Sequence, residues 1–297
     1  MKLENNLRTE TGWELQTDTF NPDQTIISGS NFLVGNGYLG YRGTLAEWEQ
    51  DNYVGCIVTD TYDMADGKWR ELCNAPNGLY TKLEIAEEEL SVFTSQTKNY
   101  QRELNLKNGV LKRETTWASA ADVEVEVKTE RFASYDNLHL LTMKYSFTVA
   151  EDTEVTLTTG IDGAVWDLNG QHLKNHQLME EEDLIAIEAL TKEEEIKLDV
   201  VEGVNLLGAT PSNKEIMQQD KKILRKLTFA LEAGQEVTLE KFVGIYSSND
   251  VEQPLVSAVT DVAAAQNEGY DKVKEKHEQQ WAEMWDLSDI EITGDLE

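Results

Sequence analysis

Cysteine is nearly missing from this chain: two residues, Cys56 and Cys73, stand among 297. So few exclude a disulfide framework, and neither has partners at the spacing of a metal cluster. They read as reduced, partly buried thiols. Histidine is scarce as well, at positions 139, 172, 176 and 277. Only His172 and His176 stand at i,i+4, a spacing that serves a metal on a helix, and their segment opens irregularly at Asn169-Gly170. Zinc is not expected, and no cofactor is implied. Basic residues are few, 26 against 56 acids, which leaves a net charge of −30. Such a surface repels nucleic acid and anionic lipid and disfavours a tight phosphate site. Nowhere do 18 apolar residues run together, and Met1–Asn6 lacks the apolar stretch of a signal peptide. With no nucleic-acid or membrane partner expected, the chain is expected to be cytoplasmic.

What the chain does have is alternation. Val123, Val125 and Val127 interleave with Glu124 and Glu126, the pattern of a half-buried antiparallel strand. Similar runs cover Leu140–Val149, Val155–Ile161, Leu184–Leu190, Ile196–Val201, Leu224–Leu231 and Val237–Tyr246. Lys107-Asn108-Gly109, Asp162-Gly163, Asn169-Gly170 and Ala233-Gly234 punctuate them as turns. Short spacing without βαβ units predicts a largely antiparallel sandwich or barrel. The acidic runs Glu87–Glu89, Glu180–Asp183 and Glu193–Glu195 fall between strands and read as solvated hairpin tips.

The pattern changes at Pro254. Leu255, Val259, Val262 and Gln266, with Val256 and Ala263 alongside, predict an amphipathic helix ending near Asn267–Gly269. A second helix follows, with Tyr270, Val273, His277, Trp281 and Met284 on one stripe and Trp285 beside it. So wide an apolar face needs a partner, either the sandwich or something beyond the chain. Asp289–Gly294 alternates like a strand, without a closing element after it.

Gly35, Gly37, Gly40 and Gly43 crowd one short segment, and the first three spell G-x-G-x-x-G, with Asp60 downstream. A dinucleotide fingerprint requires a helix to open at those glycines. Here Gly43 falls inside the would-be first turns and no 3.6-residue stripe follows. The glycines instead predict tight turns and close approach between strands.

Ser30–Gly43 (Ser-Asn-Phe-Leu-Val-Gly-Asn-Gly-Tyr-Leu-Gly-Tyr-Arg-Gly) resembles the N-terminal motif of glycoside hydrolase family 65. Further likenesses follow in the family's order: Leu72–Asn77, Leu104–Arg113, Glu130–Ser134, Ile161–Gly163, Leu239–Val243, and His277 through Trp281, Trp285, Asp289 and Gly294-Asp295. Together they cover essentially the whole chain. The resemblance implies a mainly β fold, an antiparallel β-supersandwich followed by two linker α-helices. Residues 1–250 would be the supersandwich domain and 251–297 the helical linker, leading to an (α/α) six-hairpin barrel that this chain does not contain. The family is mainly one of inverting disaccharide phosphorylases, whose general acid and phosphate-binding residues lie in that barrel. Partners so implied are the chain's own barrel, an α-linked glucose disaccharide with inorganic phosphate, and a second copy of the protein in a homodimer.

Inverting glycosidic chemistry needs a protonated carboxyl at the leaving oxygen, and in a phosphorylase phosphate replaces the activated water. Among 56 acids a pair chosen by spacing means nothing, so no catalytic residue is nominated. The loop Asp162–His172 is the local candidate for touching sugar at the substrate rim: Trp166 offers a stacking face, and Asp167, Asn169 and His172 offer polar groups. The alternative is that Trp166 packs on the linker helices while the polar residues cap turns. The loop Asp63–Gly78, with Lys68, Trp69 and Arg70, could meet the barrel or a second subunit, but Pro76 and Gly78 alone explain a turn, and the structural reading is preferred. Arg42, Arg113 and Arg131 read as partners of buried carboxylates. The expected function is a non-catalytic N-terminal domain of an α-glucoside phosphorylase, the chain alone being inactive. Two other readings remain open: an independent carbohydrate-binding β-sandwich, and the N-terminal domain of a family hydrolase such as a trehalase.

Overall fold

A computed structural model describes residues 12–290. Three antiparallel sheets carry about half of the described residues. The first has nine strands, in spatial order Glu14–Thr17, Gln96–Asn105, Val110–Ala118, Glu124–Ala133, Leu140–Val149, Glu236–Ser247, Lys197–Leu207, Leu184–Thr191 and Leu173–Glu181. The second has five: Asn213–Gln219, Lys222–Leu231, Thr153–Asp162, Asn77–Ile85 and Glu88–Glu89. Val34–Gly35, Leu39–Tyr41, Cys56–Met64 and Arg70–Asn74 form the third. One continuous apolar core, from Phe32 to Ile245, draws on all three. The fold is thus the antiparallel sandwich that the alternation predicts, and the six apolar runs from Leu140 to Tyr246 lie on strands, save for Ile196, one residue ahead of its own.

Strand Glu236–Ser247 departs from alternation, being buried at every position after Glu236. It sits mid-sheet, paired on both edges, with Val243 packed towards Gly78 of the five-stranded sheet. Its other face is covered by helix, so both faces select for burial.

Among the described residues three α-helices accompany the sheets: α1 (Thr25–Asn31), α2 (Pro254–Glu268) and α3 (Tyr270–Ser288). Proline at the start of α2 and Gly269, at φ 82°, between α2 and α3 set the boundaries. The buried stripe of α2 is Pro254, Ala258, Val262 and Ala265, not the larger Leu255 and Val259 that the periodicity favours. The reason is close approach. A Cβ on Gly244 of the underlying strand would lie 2.9 Å from the Ala258 carbonyl oxygen, so only small side chains fit that interface.

Helix α3 buries Tyr270, Val273 and His277. Its tryptophan face packs on the sandwich itself. Trp281 lies over Gly109, and Trp285 donates its ring N–H to the Lys107 carbonyl at 2.9 Å and meets Trp13 edge-on. Met284, Leu287 and Ile290 remain exposed. The helix runs through Ser288 and Asp289 turns extended. The rest of the alternating segment, Glu291–Gly294, lies outside the described residues, as does Met1–Asn6.

The glycine-rich segment forms a hairpin, Val34 opposite Tyr41 and Gly35 opposite Gly40, turned at Gly37 with φ 91°. Helix α1 precedes it, the reverse of a dinucleotide-binding order. The three acidic runs lie at turns, with Glu87, Glu182 and Glu195 at positive φ, though Glu88–Glu89 also pairs as a short strand. Carboxylate pairing holds for Arg113 alone of the three arginines singled out: its Nη1 lies 2.7 Å from Glu47. Arg42 donates to the Ile26 carbonyl and Arg131 to those of Thr44 and Arg42. A neutral carbonyl is a weaker acceptor than a carboxylate but brings no second charge to desolvate.

Candidate functional site

Residues 163–171 cross from the five-stranded sheet to the edge of the nine-stranded one. A crossing segment has no ladder to satisfy its polar groups, so they must find other partners. They find them on the hairpin made by Cys56–Met64 and Arg70–Asn74. The two loops that the sequence marks separately are thereby brought together.

Asp167 accepts the backbone N–H of Asn74 at 2.9 Å and that of His172 at 3.4 Å. Asn74 in turn donates its side-chain amide to the Trp166 carbonyl at 2.5 Å. Asn169 is bound on three sides. Its N–H donates to Glu71 Oε1 at 2.8 Å, its amide to the Trp69 carbonyl at 3.0 Å, and its carbonyl accepts Lys68 Nζ at 2.7 Å. His172, fully buried, lies 2.9 Å from Glu71 Oε1 through Nε2 and 3.2 Å from Asp63 Oδ2 through Nδ1. Carboxylates only accept, so the form that fits is the imidazolium with both nitrogens protonated.

The electrostatics agree. Burial alone would lower the His172 pKa, but the bonds to Glu71 and Asp63 and the charge of Asp167 outweigh it and raise it. Burial raises the Asp63 carboxyl, yet the N–H of Glu194, His172 and the N–H of Glu193 hold it below its usual range. Asp167 is pushed upward by burial, against the opposing N–H of Asn74.

Asp63, Cys73 and His172 place one ligand-type atom each within 4.8 Å of one another. The donors do not suit a metal. Asp63 already accepts from the N–H groups of Lys192, Glu193 and Glu194 and from His172. Burial and the charge of Asp167 push the Cys73 thiol up, whereas a metal requires the thiolate. The cluster is a hydrogen-bonded brace.

Trp166 is half-buried. Its ring meets Tyr53 edge-on at 5.4 Å, with the Arg42 guanidinium 5.9 Å from its centroid. These partners, rather than the C-terminal helices, are what it packs on. Two apolar side chains nearby face outwards, Trp69 at 64 % exposed and Leu168 at 75 %, among the exposed charges of Asp66, Lys68 and Arg70. Asp63 and Glu71 went unnoticed in the sequence. The available signal was local, since Asp63 falls on an inward position of its strand, after the exposed Tyr62.

The profile of the family described as "Glycosyl hydrolase family 65, N-terminal domain" matches residues 15–284. The chain is 37% identical over 290 residues to a 1,2-alpha-glucosylglycerol phosphorylase of Bacillus selenitireducens, covering 98% of this chain and 38% of that protein. It is 32% identical over 308 residues to a nigerose phosphorylase of Lachnoclostridium phytofermentans, covering 96% of this chain and 40% of that one. A solved structure assigned as a kojibiose phosphorylase, from the human microbiome, superposes with a TM-score of 0.82 over 92% of this chain and 38% of its own, at 18% identity, a likeness of fold. The chain therefore spans about two-fifths of the length of these relatives. It belongs to glycosyl hydrolase family 65, as that family's N-terminal domain.

Proposed function

We propose that this chain is the non-catalytic N-terminal part of a cytoplasmic phosphorylase that splits an α-linked glucoside with inorganic phosphate, releasing β-glucose 1-phosphate. Residues 1–250 are the sandwich domain. Residues 251–297, with α2 and α3, are the linker to a helical catalytic barrel. The carrying observation is the 98% coverage of this chain against 38% of the glucosylglycerol phosphorylase it resembles. Chemistry on the glucoside then belongs to the remaining three-fifths.

The loop with Trp166, Asp167, Asn169 and His172 forms the substrate rim in this reading, with divided labour. Asp167, Asn169 and His172 each bond to the hairpin and hold the loop rigid, although Asn169 Oδ1 has no partner among the described residues. The Trp166 ring and the exposed Leu168 and Trp69 face the barrel or its ligand. Met284 and Leu287 at the end of α3 are exposed as well and give a following domain a separate apolar surface to cover, and homodimerisation is a further role for the sandwich.

Assay of the full-length protein with a panel of α-glucosides tests this. Phosphate-dependent release of β-glucose 1-phosphate is expected. Glucose release at the same rate without phosphate would overturn it in favour of a hydrolase.

A further inference from the structure

The inner face of the nine-stranded sheet carries guanidinium groups where its alternation calls for apolar side chains. Arg102 stands directly opposite Arg113 in register. Thr129 stands opposite Arg113 on the other side, with Arg131 two residues further along that face. The three arginines are buried, each 3–4 % exposed. Like charges facing across a ladder repel, and here water does not screen them.

Among the described residues one carboxylate answers them directly, the buried Glu47 against Arg113. Their other bonds go to neutral oxygens. Arg102 donates to Ser28 Oγ and the Gly43 carbonyl, Arg131 to the Arg42 and Thr44 carbonyls, and Arg113 Nε to Thr115 Oγ1. Burial, together with repulsion from Arg102 and Arg113, lowers Arg131 to about 10, so it stays charged at neutral pH.

Between the guanidiniums lies a cavity of about 10 Å³, lined by the three arginines, Thr44, Thr129 and aliphatic carbons. That is room for one particle about the size of water. Arg113 Nη2 and Arg131 Nε have no hydrogen-bond partner among the described residues. Glu47 Oε1 is also without one, but Glu47 does not line the cavity. An occupant therefore meets donors and positive charge, with no carboxylate against it. Water would satisfy the donors and leave two charges uncompensated; a phosphate or a sugar is too large.

We propose that this cavity binds a monatomic anion of chloride size, which offsets one of the two uncompensated charges of the arginine cluster beneath the sheet, the lining side chains relaxing slightly outward to admit an ion larger than water. In a chain of net charge −30, the anion is held by local geometry against the overall field.

Crystals of the full-length protein soaked in bromide are expected to show an anomalous peak within hydrogen-bond reach of Arg113 Nη2 and Arg131 Nε. Thermal unfolding at constant ionic strength, with chloride exchanged for the bulkier gluconate, is expected to show a midpoint rising by roughly 2–4 °C per tenfold chloride above its dissociation constant. Arg131→Met should abolish that slope, while Lys112→Met, on the sheet's other face, should keep it. If Arg131→Met does not fold, the wild-type slope together with the bromide position decides. A flat chloride response, a slope shared equally by both variants, or no bromide at the cluster would each overturn the proposal.

Discussion

His277 of α3 donates its Nε2 proton to the carbonyl of Asn108 at 2.6 Å, tying the last helix to a turn of the nine-stranded sheet. The same ring accepts the Tyr135 N–H through Nδ1 at 3.0 Å and stacks on Phe132. With one nitrogen donating and the other accepting, the neutral ring fits and the cation does not. Burial accordingly lowers His277 to about 4, although its bond to Asn108 works the other way.

The sign follows. The folded value lies below the unfolded value of about 6.5, so the unfolded chain takes up the proton first as pH falls. The contribution is complete above that value and is lost as pH drops towards 4, on the order of 3 kcal/mol in all. Urea unfolding at pH 7 and pH 4.5 should show this loss in the wild type. His277→Phe should be less stable at pH 7 by about 1–3 kcal/mol and less sensitive to acid.

His172 behaves oppositely. Its pKa is raised, so its contribution is complete below the unfolded value and is lost as pH rises through the folded one. His172→Ala leaves Asp63 and Glu71 without their buried cation and should cost about 3–5 kcal/mol at pH 6. The deficit should narrow at alkaline pH. A deficit independent of pH would contradict the charged form assigned here.

Asp199 is fully buried, and burial followed by the charge of Glu188 pushes it up to about 7, against the opposing charge of Lys197 and the N–H of Leu255. Its ionised form is a burden on the fold. Asp199→Asn should therefore stabilise the chain by about 1–2 kcal/mol at pH 8, and by much less at pH 5. Denaturant melts at the two values check it.

Trp69 and Leu168 face outwards, so Trp69→Ser and Leu168→Ser should change the stability of this chain by no more than about 0.5 kcal/mol. In the full-length protein the same changes should lower kcat/KM for the glucoside, because the surface they form is the one proposed to meet the barrel. Unchanged kcat/KM would remove that surface from the rim.

The β layers were legible because their signal is local: a side chain facing the core is apolar and the next is not. The same rule concealed the charged interior. Arg102 and Arg113 occupy inward positions between Tyr100 and Leu104 and between Leu111 and Thr115, yet nothing in one strand tells which buried partner a guanidinium will find. The His172 brace was half visible. The loop carrying Asp167 and His172 was marked, but Asp63 and Glu71 lie about a hundred residues away, and only the sheet crossing brings them close. The buried face of α2 was misjudged because periodicity weighs apolar size, whereas contact with Gly244 selected alanine.

The most direct measurement is phosphorolysis by the 297-residue chain on its own, with kojibiose, nigerose, maltose, trehalose and glucosylglycerol offered in phosphate. No glucose 1-phosphate above background, from a chain that circular dichroism shows to be folded, is the predicted result. Sustained turnover that follows the amount of chain would contradict the assignment of catalysis to the part of the protein beyond it.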